Sequence, residues 1–351
     1  MRILIFSPIE LPYTLGARYT GLERLAVQFA EQWHLLGNDV TLLAHKDTTV
    51  PEGVRLLPCD GYETIDRTKG EHAEVKAFMR YQPEFYSFDV IWDIGHLHLI
   101  ARMMSHLPTV NVLPTAPEYA VRAGNIKAPY NLVSFSRWGI DEIRKYFHQE
   151  SRYQETIMVD PEIYKPLLST RSNRFLTLGR MSEEKGNLNA VMLCRNLGLS
   201  LDIAGGRGSE TTASTPQREY EQRIIDLCDG SQIKFYGEVS DEQKIELMQT
   251  CRGLIYMTNH VEITSHKIQE ALLAGAPAIV PNLGGIPEII THGVDGYLCS
   301  NEREYVEAIK HIDELDPSKT RKRLTKKYHP KLVAEEYFNL FEQVKGGLRW
   351  K

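Results

Sequence analysis

Short apolar runs alternate with helical periodicity along this chain, and near its midpoint the alternation starts again. "RILIFS" at residues 2–7 is a buried-strand pattern. "GLERLAVQFAEQWHLLG" follows, with Leu22, Leu25, Ala26, Phe29 and Trp33 at helical spacing and Gly37 where a helix would stop. "DVTLLA", "DVIWDIG", "TVNVL" and "NLVSFS" are further strands, the second and last of them leading into helix-like sequence. Beyond "VDPEIYKPLL" the series restarts. "RFLTLGR", "SLDIAGG", "IKFYGEV", "GLIYMT" and "PAIVPN" are strands. "NLNAVMLCRNLG", "EYEQRIIDLCD" and "DEQKIELMQTC" are helices between them. Strand–helix alternation specifies a parallel sheet with helices on both faces, so the expected fold class is α/β with two doubly wound halves. The boundary is expected between Pro161 and Ser172, a Pro-containing stretch of weak pattern. Open α/β sheets bind ligands at the carboxyl ends of their strands, and two facing halves would place a site in the cleft between them.

A chain of 351 residues has room for two such cores. Its formal net charge of −5 offers no global attraction to nucleic acid. The basic run Lys319–Lys331 is expected to be a solvated helix face, with contact to an anionic membrane or an acidic acceptor as the sharper alternative. "MRILIFSPIE" reads as a strand rather than a secretory leader, and no apolar run reaches the roughly 18 residues a membrane span needs. The five scattered cysteines form no C-x-x-C pair, which suits free thiols in a reducing cytoplasm.

Four stretches fall where strands give way to helices. "GARYTGLER" (Gly16–Arg24) has phosphate-loop glycine spacing, but Leu22 stands where a P-loop needs Lys. A glycine at a helix N-terminus lets backbone N–H groups approach an anion, and a plain loop glycine fits equally well. "GRMSEEKG" (Gly179–Gly186) puts Arg180 and Lys185 at a strand's carboxyl end, where two cations could neutralise a diphosphate. Ser182 with Glu183 and Glu184 also has the composition of a simple N-cap. In "VEITSHKIQEALLAGAP", Glu262 is expected in the strand-to-helix loop and Glu270 in the helix proper, with the helix starting at Thr264 or Ser265. A carboxylate there suits a polyol, because it accepts hydrogen bonds from neighbouring hydroxyls. In "NLGGIPEIITHGVDGYL", Gly284 and Gly285 suit a tight turn, and Pro287 and Glu288 a first helical turn. His96 and His98 in "GHLHL" lack a third ligand at metal-binding spacing, so the expected metal count is none. His96 follows a strand and could reach the cleft.

Taken in order, these stretches resemble the retaining GT-B glycosyltransferases of family 4, the group of glycogen synthase, sucrose synthase and lipid mannosyltransferases. "GRMSEEKG" is similar to that family's G-R-x4-K-G. "VEITSHKIQEALLAGAPAIVPNLGGIPEIITHGVDGYL" is similar to its E-x7-E helix with the glycine pair and I-P-E. "YHPKLVAEEYFNLFEQV" resembles its terminal helix, which returns to the first domain. The resemblance implies two Rossmann-like domains facing a cleft. Residues 1–165 would be the acceptor side, 166–331 the nucleotide-sugar donor domain, and about 332–351 a helix packing back on the first.

Roles follow from the same resemblance. Arg180 and Lys185 would hold the donor diphosphate, Glu262 the sugar hydroxyls and Glu270 the ribose. Backbone N–H groups of Ser265, His266 and Lys267 would meet sugar and phosphates, and Gly21 would let the first domain close. The implied partners are a UDP-, GDP- or ADP-sugar donor and a glycan, lipid or small-molecule acceptor. No cofactor, metal or nucleic acid is implied, the expected location is cytoplasmic, and any membrane contact would be peripheral. A nucleotide-sugar epimerase of the same fold and a non-catalytic nucleotide-sugar-binding protein are the alternatives.

Three departures mark this chain. "ITSHK" replaces the usual Gly-Phe-Gly-Leu-like residues after the first Glu. Gly21 stands where two adjacent glycines are common. "PTAPEY" follows "TVNVL" where a His is frequent, which leaves His96 as the candidate sugar or acceptor contact.

Overall fold

Both faces of the first strand are buried: Ile3, Leu4, Ile5 and Phe6 are all shielded from solvent. This is what a parallel strand covered by helices on both sides requires. The computed structural model describes residues 1–14, 21–61, 67–118, 129–167, 171–206 and 215–351. Gly16 to Thr20 of the first glycine stretch therefore lie outside the described residues. Two compact units emerge, Met1–Met158 with Pro330–Lys351, and Val159–His329.

Unit 1 holds seven strands: β1 (Arg2–Phe6), β2 (Asp39–His45), β3 (Arg55–Cys59), β4 (Val90–Asp93), β5 (Thr109–Val112), β6 (Leu132–Ser134) and β7 (Arg152–Tyr153). They run in the order β3-β2-β1-β4-β5-β6-β7, every pair parallel. Strand side chains alternate between two layers. Leu4, Phe6, Leu43 and Ile91 join Ala77 and Phe78 of the helix Arg67–Tyr81 in one buried cluster. Trp92, one residue on from Ile91, faces the other layer. There it meets Phe29 of the helix Gly21–Leu35 (4.7 Å between ring centroids), Trp33 of that helix (5.4 Å) and Tyr337 of the helix Pro330–Lys345 (5.9 Å). Trp33 Nε1 donates to the carbonyl of Ala334 at 3.0 Å, which satisfies the indole inside the cluster. The end of the chain thus completes the core of the unit that its beginning starts.

Unit 2 holds β8 (Phe175–Leu178), β9 (Leu201–Ala204), β10 (Ile233–Gly237), β11 (Gly253–Ile255), β12 (Ala278–Pro281) and β13 (Gly296–Cys299). Their order is β10-β9-β8-β11-β12-β13, again all parallel. Ile203, Ile233, Ile255 and Ile279 pack with Val191 and Cys194 of the helix Asn187–Asn196 and Ile309 of the helix Glu302–His311. The helix His266–Leu273 contacts β12 and packs against the helices Asp241–Thr250 and Pro317–Lys327.

In both sheets the order reverses at one place, between β1 and β4 in unit 1 and between β8 and β11 in unit 2. At such a switch point the loops leaving adjacent strands diverge and open a crevice at the carboxyl edge. No helix among the described residues is long and apolar enough to cross a membrane.

The basic run departs from expectation. Arg321 is not a solvated charge: its guanidinium donates to the carbonyls of Tyr164 (2.7 Å), Leu273 (2.8 Å) and Pro161 (2.6 Å). Arg323 pairs with the buried carboxylate of Asp295 and donates to the carbonyl of Ile289. A planar fork with several donors suits this binding of loop ends better than a lysine would. The remainder of the run, including Lys319 and Lys331, keeps the exposed character expected of it.

Candidate active site

The switch point of unit 2 gathers most of the residues singled out in its sequence. Gly179 and Arg180 leave the end of β8, and Lys185 closes a short 3-10 turn at Glu183–Lys185. Ser182 precedes that turn in extended conformation, but its hydroxyl makes no cap bond, unlike a simple N-cap. Tyr256 to Glu262 form the loop after β11, and Ser265 is the N-cap residue of the helix His266–Leu273.

Glu262 is the hub. Its side chain is only 10 % exposed, and its Oε1 accepts Lys185 Nζ at 2.5 Å and the Tyr256 hydroxyl at 2.6 Å. Burial opposes its ionisation. The charges of Lys267 and Lys185 and the two hydrogen bonds outweigh that, so its pKa lies below the usual carboxylate range. Burial, together with the same negative charge, pushes the Tyr256 phenol up, so it remains a donor.

The glycine pair fixes this hub from behind. The Gly285 N–H donates to the Glu262 carbonyl at 2.8 Å. Gly284 has φ of +60°, and a Cβ there would stand 2.5 Å from the same carbonyl oxygen. The "GG" of the sequence is thus a support for the Glu262 loop. Pro287 and Glu288 lie in a 3-10 turn, Ile286–Glu288.

Arg180 pairs with Glu184, one turn further along. Burial works against that carboxylate too, and Arg180 offsets it, leaving the Glu184 pKa lowered. Glu270 sits lower on its helix. It accepts the Tyr164 hydroxyl at 2.6 Å and lies 3.4 Å from Lys244 of the neighbouring helix. Lys267 comes from the first turn of the same helix. Its ammonium rests 3.7 Å from the centre of the Tyr256 ring and donates to the Leu178 carbonyl at 3.2 Å. His266 precedes it, half-buried. The Ser265 hydroxyl, the second carboxylate oxygen of Glu262 and Arg180 Nε are buried without a hydrogen-bond partner among the described residues.

Arg180, Lys185, Glu262, Ser265, Lys267 and Glu270 therefore share one region of unit 2. Sequence reading did not single out Tyr256, His260, Tyr164 or Lys244. Tyr256 looked like the end of a strand, and nothing local marks its hydroxyl as a partner of Glu262. His260 stands 4.0 Å from Glu184, and burial lowers its pKa.

Gly21 and His96 belong to unit 1. Gly21 is the exposed first residue of the helix Gly21–Leu35. His96 follows β4 at that unit's switch point, 3.8 Å from Glu10 in the loop after β1. Its backbone N–H and that of Leu97 donate to the buried Glu74 carboxylate at 2.8 and 2.9 Å, which fixes the loop. His98 is buried, 3.5 Å from the buried Asp93.

Two parallel doubly wound sheets of this order define the GT-B fold, and comparison with solved structures agrees. Sucrose-phosphate synthase from Thermosynechococcus elongatus superposes with a TM-score of 0.83 at 16 % identity, covering 99 % of this chain and 100 % of that one. Anabaena Alr3699/HepE in complex with UDP-glucose gives 0.76 at 15 % identity, covering 98 % and 100 %. Residues 160–329, nearly all of unit 2, match the family model described as glycosyl transferases group 1, and this domain belongs to that family. A probable sucrose-phosphate synthase of Thermosipho melanesiensis is 32 % identical over 130 residues, 35 % of this chain. The matched stretch spans 31 % of that relative's length.

Proposed function

We propose that the protein is a glycosyltransferase moving a sugar from a nucleoside-diphosphate sugar to an acceptor hydroxyl, with retention at the anomeric carbon and without a metal. The observation that carries this reading is the Lys185–Glu262 pair at the switch point of a group 1 domain, with Arg180 and Glu270 in the same region. The UDP-glucose held by the Anabaena protein of the same fold supports the donor class.

The chemistry follows the charge. The bond from the anomeric carbon to the phosphate oxygen breaks with its electron pair moving to the phosphate. Arg180 and Lys185 are fixed cations placed to take up that growing charge, the role a metal would otherwise play. N–H groups at the start of the helix His266–Leu273 add to it. The second oxygen of Glu262 is available to sugar hydroxyls, and Glu270 is set for a ribose. The acceptor oxygen bonds to the anomeric carbon from the face the phosphate leaves, and its proton passes to the phosphate.

A thermal-shift panel of UDP-, GDP- and ADP-sugars identifies the donor, since a bound ligand stabilises the folded state by mass action. With that donor, Glu262→Ala and Lys185→Ala each lower transfer by ~100-fold or more while the fold persists. Near-normal transfer in both variants would sink the assignment.

A further inference from the structure

Each cation of the donor region except one has a carboxylate of its own. Arg180 has Glu184, Lys185 has Glu262, and Lys244 has Glu270 and Asp241. Lys267 has none within ion-pair distance among the described residues. Its ammonium is held by a neutral carbonyl, that of Leu178, and by the face of Tyr256. An ammonium enclosed in this way lacks full compensation for the water it has given up.

The groups around it also lack acceptors. Arg180 Nε, the Ser182 hydroxyl and the Ser265 hydroxyl are all buried with no hydrogen-bond partner among the described residues. Arg180 Nε and the ammonium only donate, and the two hydroxyls can donate as well as accept. Arg180 and Ser182 belong to the segment that leaves β8 and Ser265 caps the helix that carries Lys267; at the end of β8 Gly179 has φ of +140°, and a Cβ there would stand 2.8 Å from Lys267 Nζ. Gly179 thus leaves room for the lysine directly beneath the Arg180 turn. Beside them Glu262 Oε2 is an unmet acceptor, suited to a sugar hydroxyl, and the Glu262 charge only partly compensates Lys267. The unmet donors, with a cation that has no carboxylate within ion-pair distance among the described residues, describe the complement of an anion with several oxygens.

We propose that Lys267 is a third diphosphate-binding cation, so that the donor region meets the leaving nucleoside diphosphate with Arg180, Lys185 and Lys267 together. The inference rests on the donor-site reading above and assigns a role to a side chain within "ITSHK", the segment that departs from the family's usual residues. As the anomeric bond breaks and the electron pair moves to phosphate, Lys267 offsets the added charge. The charged and titratable groups facing it are Glu262 and Tyr256 from the β11 segment, Lys185 and Arg180 from the β8 segment, and Glu270 from its own helix.

The test is titration calorimetry with UDP, GDP and ADP on wild-type protein and on Lys267→Met, with the matching nucleoside monophosphate as control. The expected result is that wild type binds one of the three diphosphates and Lys267→Met binds it at least about tenfold more weakly at pH 7, the scale of one charge-assisted bond. The monophosphate is affected less. Raising the pH to 9.5 weakens diphosphate binding by wild type and leaves Lys267→Met unchanged, a dependence that a purely packing role would not produce. Equal affinities with parallel pH profiles would overturn the role of Lys267 while leaving the donor site intact. A wild-type protein that binds none of the three overturns the donor-site reading itself, and the inference with it. Near-ultraviolet circular dichroism of the variant establishes that it is folded.

Discussion

Lys267 shows what a single enclosed ammonium costs the fold. Burial lowers its pKa from the ordinary 10.5 to about 8, partly countered by Glu262 and reinforced by Lys185 and Arg180. The sign of the linkage follows. Between about pH 8 and the unfolded value the unfolded chain binds more protons than the native one, so the Lys267 contribution to stability rises with pH through that window. Below pH 8 both states are protonated and the full penalty of the buried charge is present. Lys267→Met is therefore expected to raise the ligand-free melting temperature at pH 7, and the gain should shrink as the pH approaches 10. Thermal melts of both proteins at pH 7 and 9.5 check this. A stabilised variant that binds diphosphate less well is the ordinary signature of a residue kept for binding.

At the scale of the element, the helix His266–Leu273 is held by side chains from far along the chain. Arg321 binds the carbonyls of Tyr164 and Pro161, 157 and 160 residues away, and that of Leu273 at the helix end. Arg321→Ala leaves three carbonyls without their donor and should destabilise unit 2 by about 3 kcal/mol, the upper end for hydrogen bonds to a charged group. Denaturant unfolding of wild type and variant measures this. It should also weaken donor binding, because Tyr164 leads to Glu270. These arrangements mark what the sequence could and could not tell. The buried strands were legible because "RILIF" and "AIVP" are apolar on both faces and end at turn residues. β3 was not, because "RLLPC" is short, half-exposed and contains Pro58. That proline is tolerated only because β3 lies at the sheet edge, a fact of topology. Glu262, Lys185 and Arg180 could be found from motif spacing. Tyr256 and Arg321 could not, since their roles depend on partners brought close only by the fold.

The whole molecule repeats one plan, since both sheets order their strands alike around a switch point. The repetition was readable as strand–helix alternation; the return of the last helix to the first domain was expected only from the family resemblance, and the contacts that it makes there are a matter of packing. Phe341 is fully buried there, 5.0 Å from Trp33 and 5.5 Å from Tyr337 between ring centroids. All four tryptophans, Trp33, Trp92, Trp138 and Trp350, belong to unit 1, so tryptophan fluorescence reports on that unit's core. Trp350 Nε1 donates to the Leu132 carbonyl at 2.9 Å, which ties the chain end to β6. Phe341→Ala should cost about 3–5 kcal/mol, the range for deleting a buried aromatic side chain. The loss is expected in the tryptophan-detected unfolding transition. Diphosphate binding by unit 2 at a temperature where the variant is still folded should stay near the wild-type value, because no group of the donor region lies in the aromatic cluster. A variant that unfolds with the wild-type tryptophan transition would show that the last helix does not complete the core of unit 1.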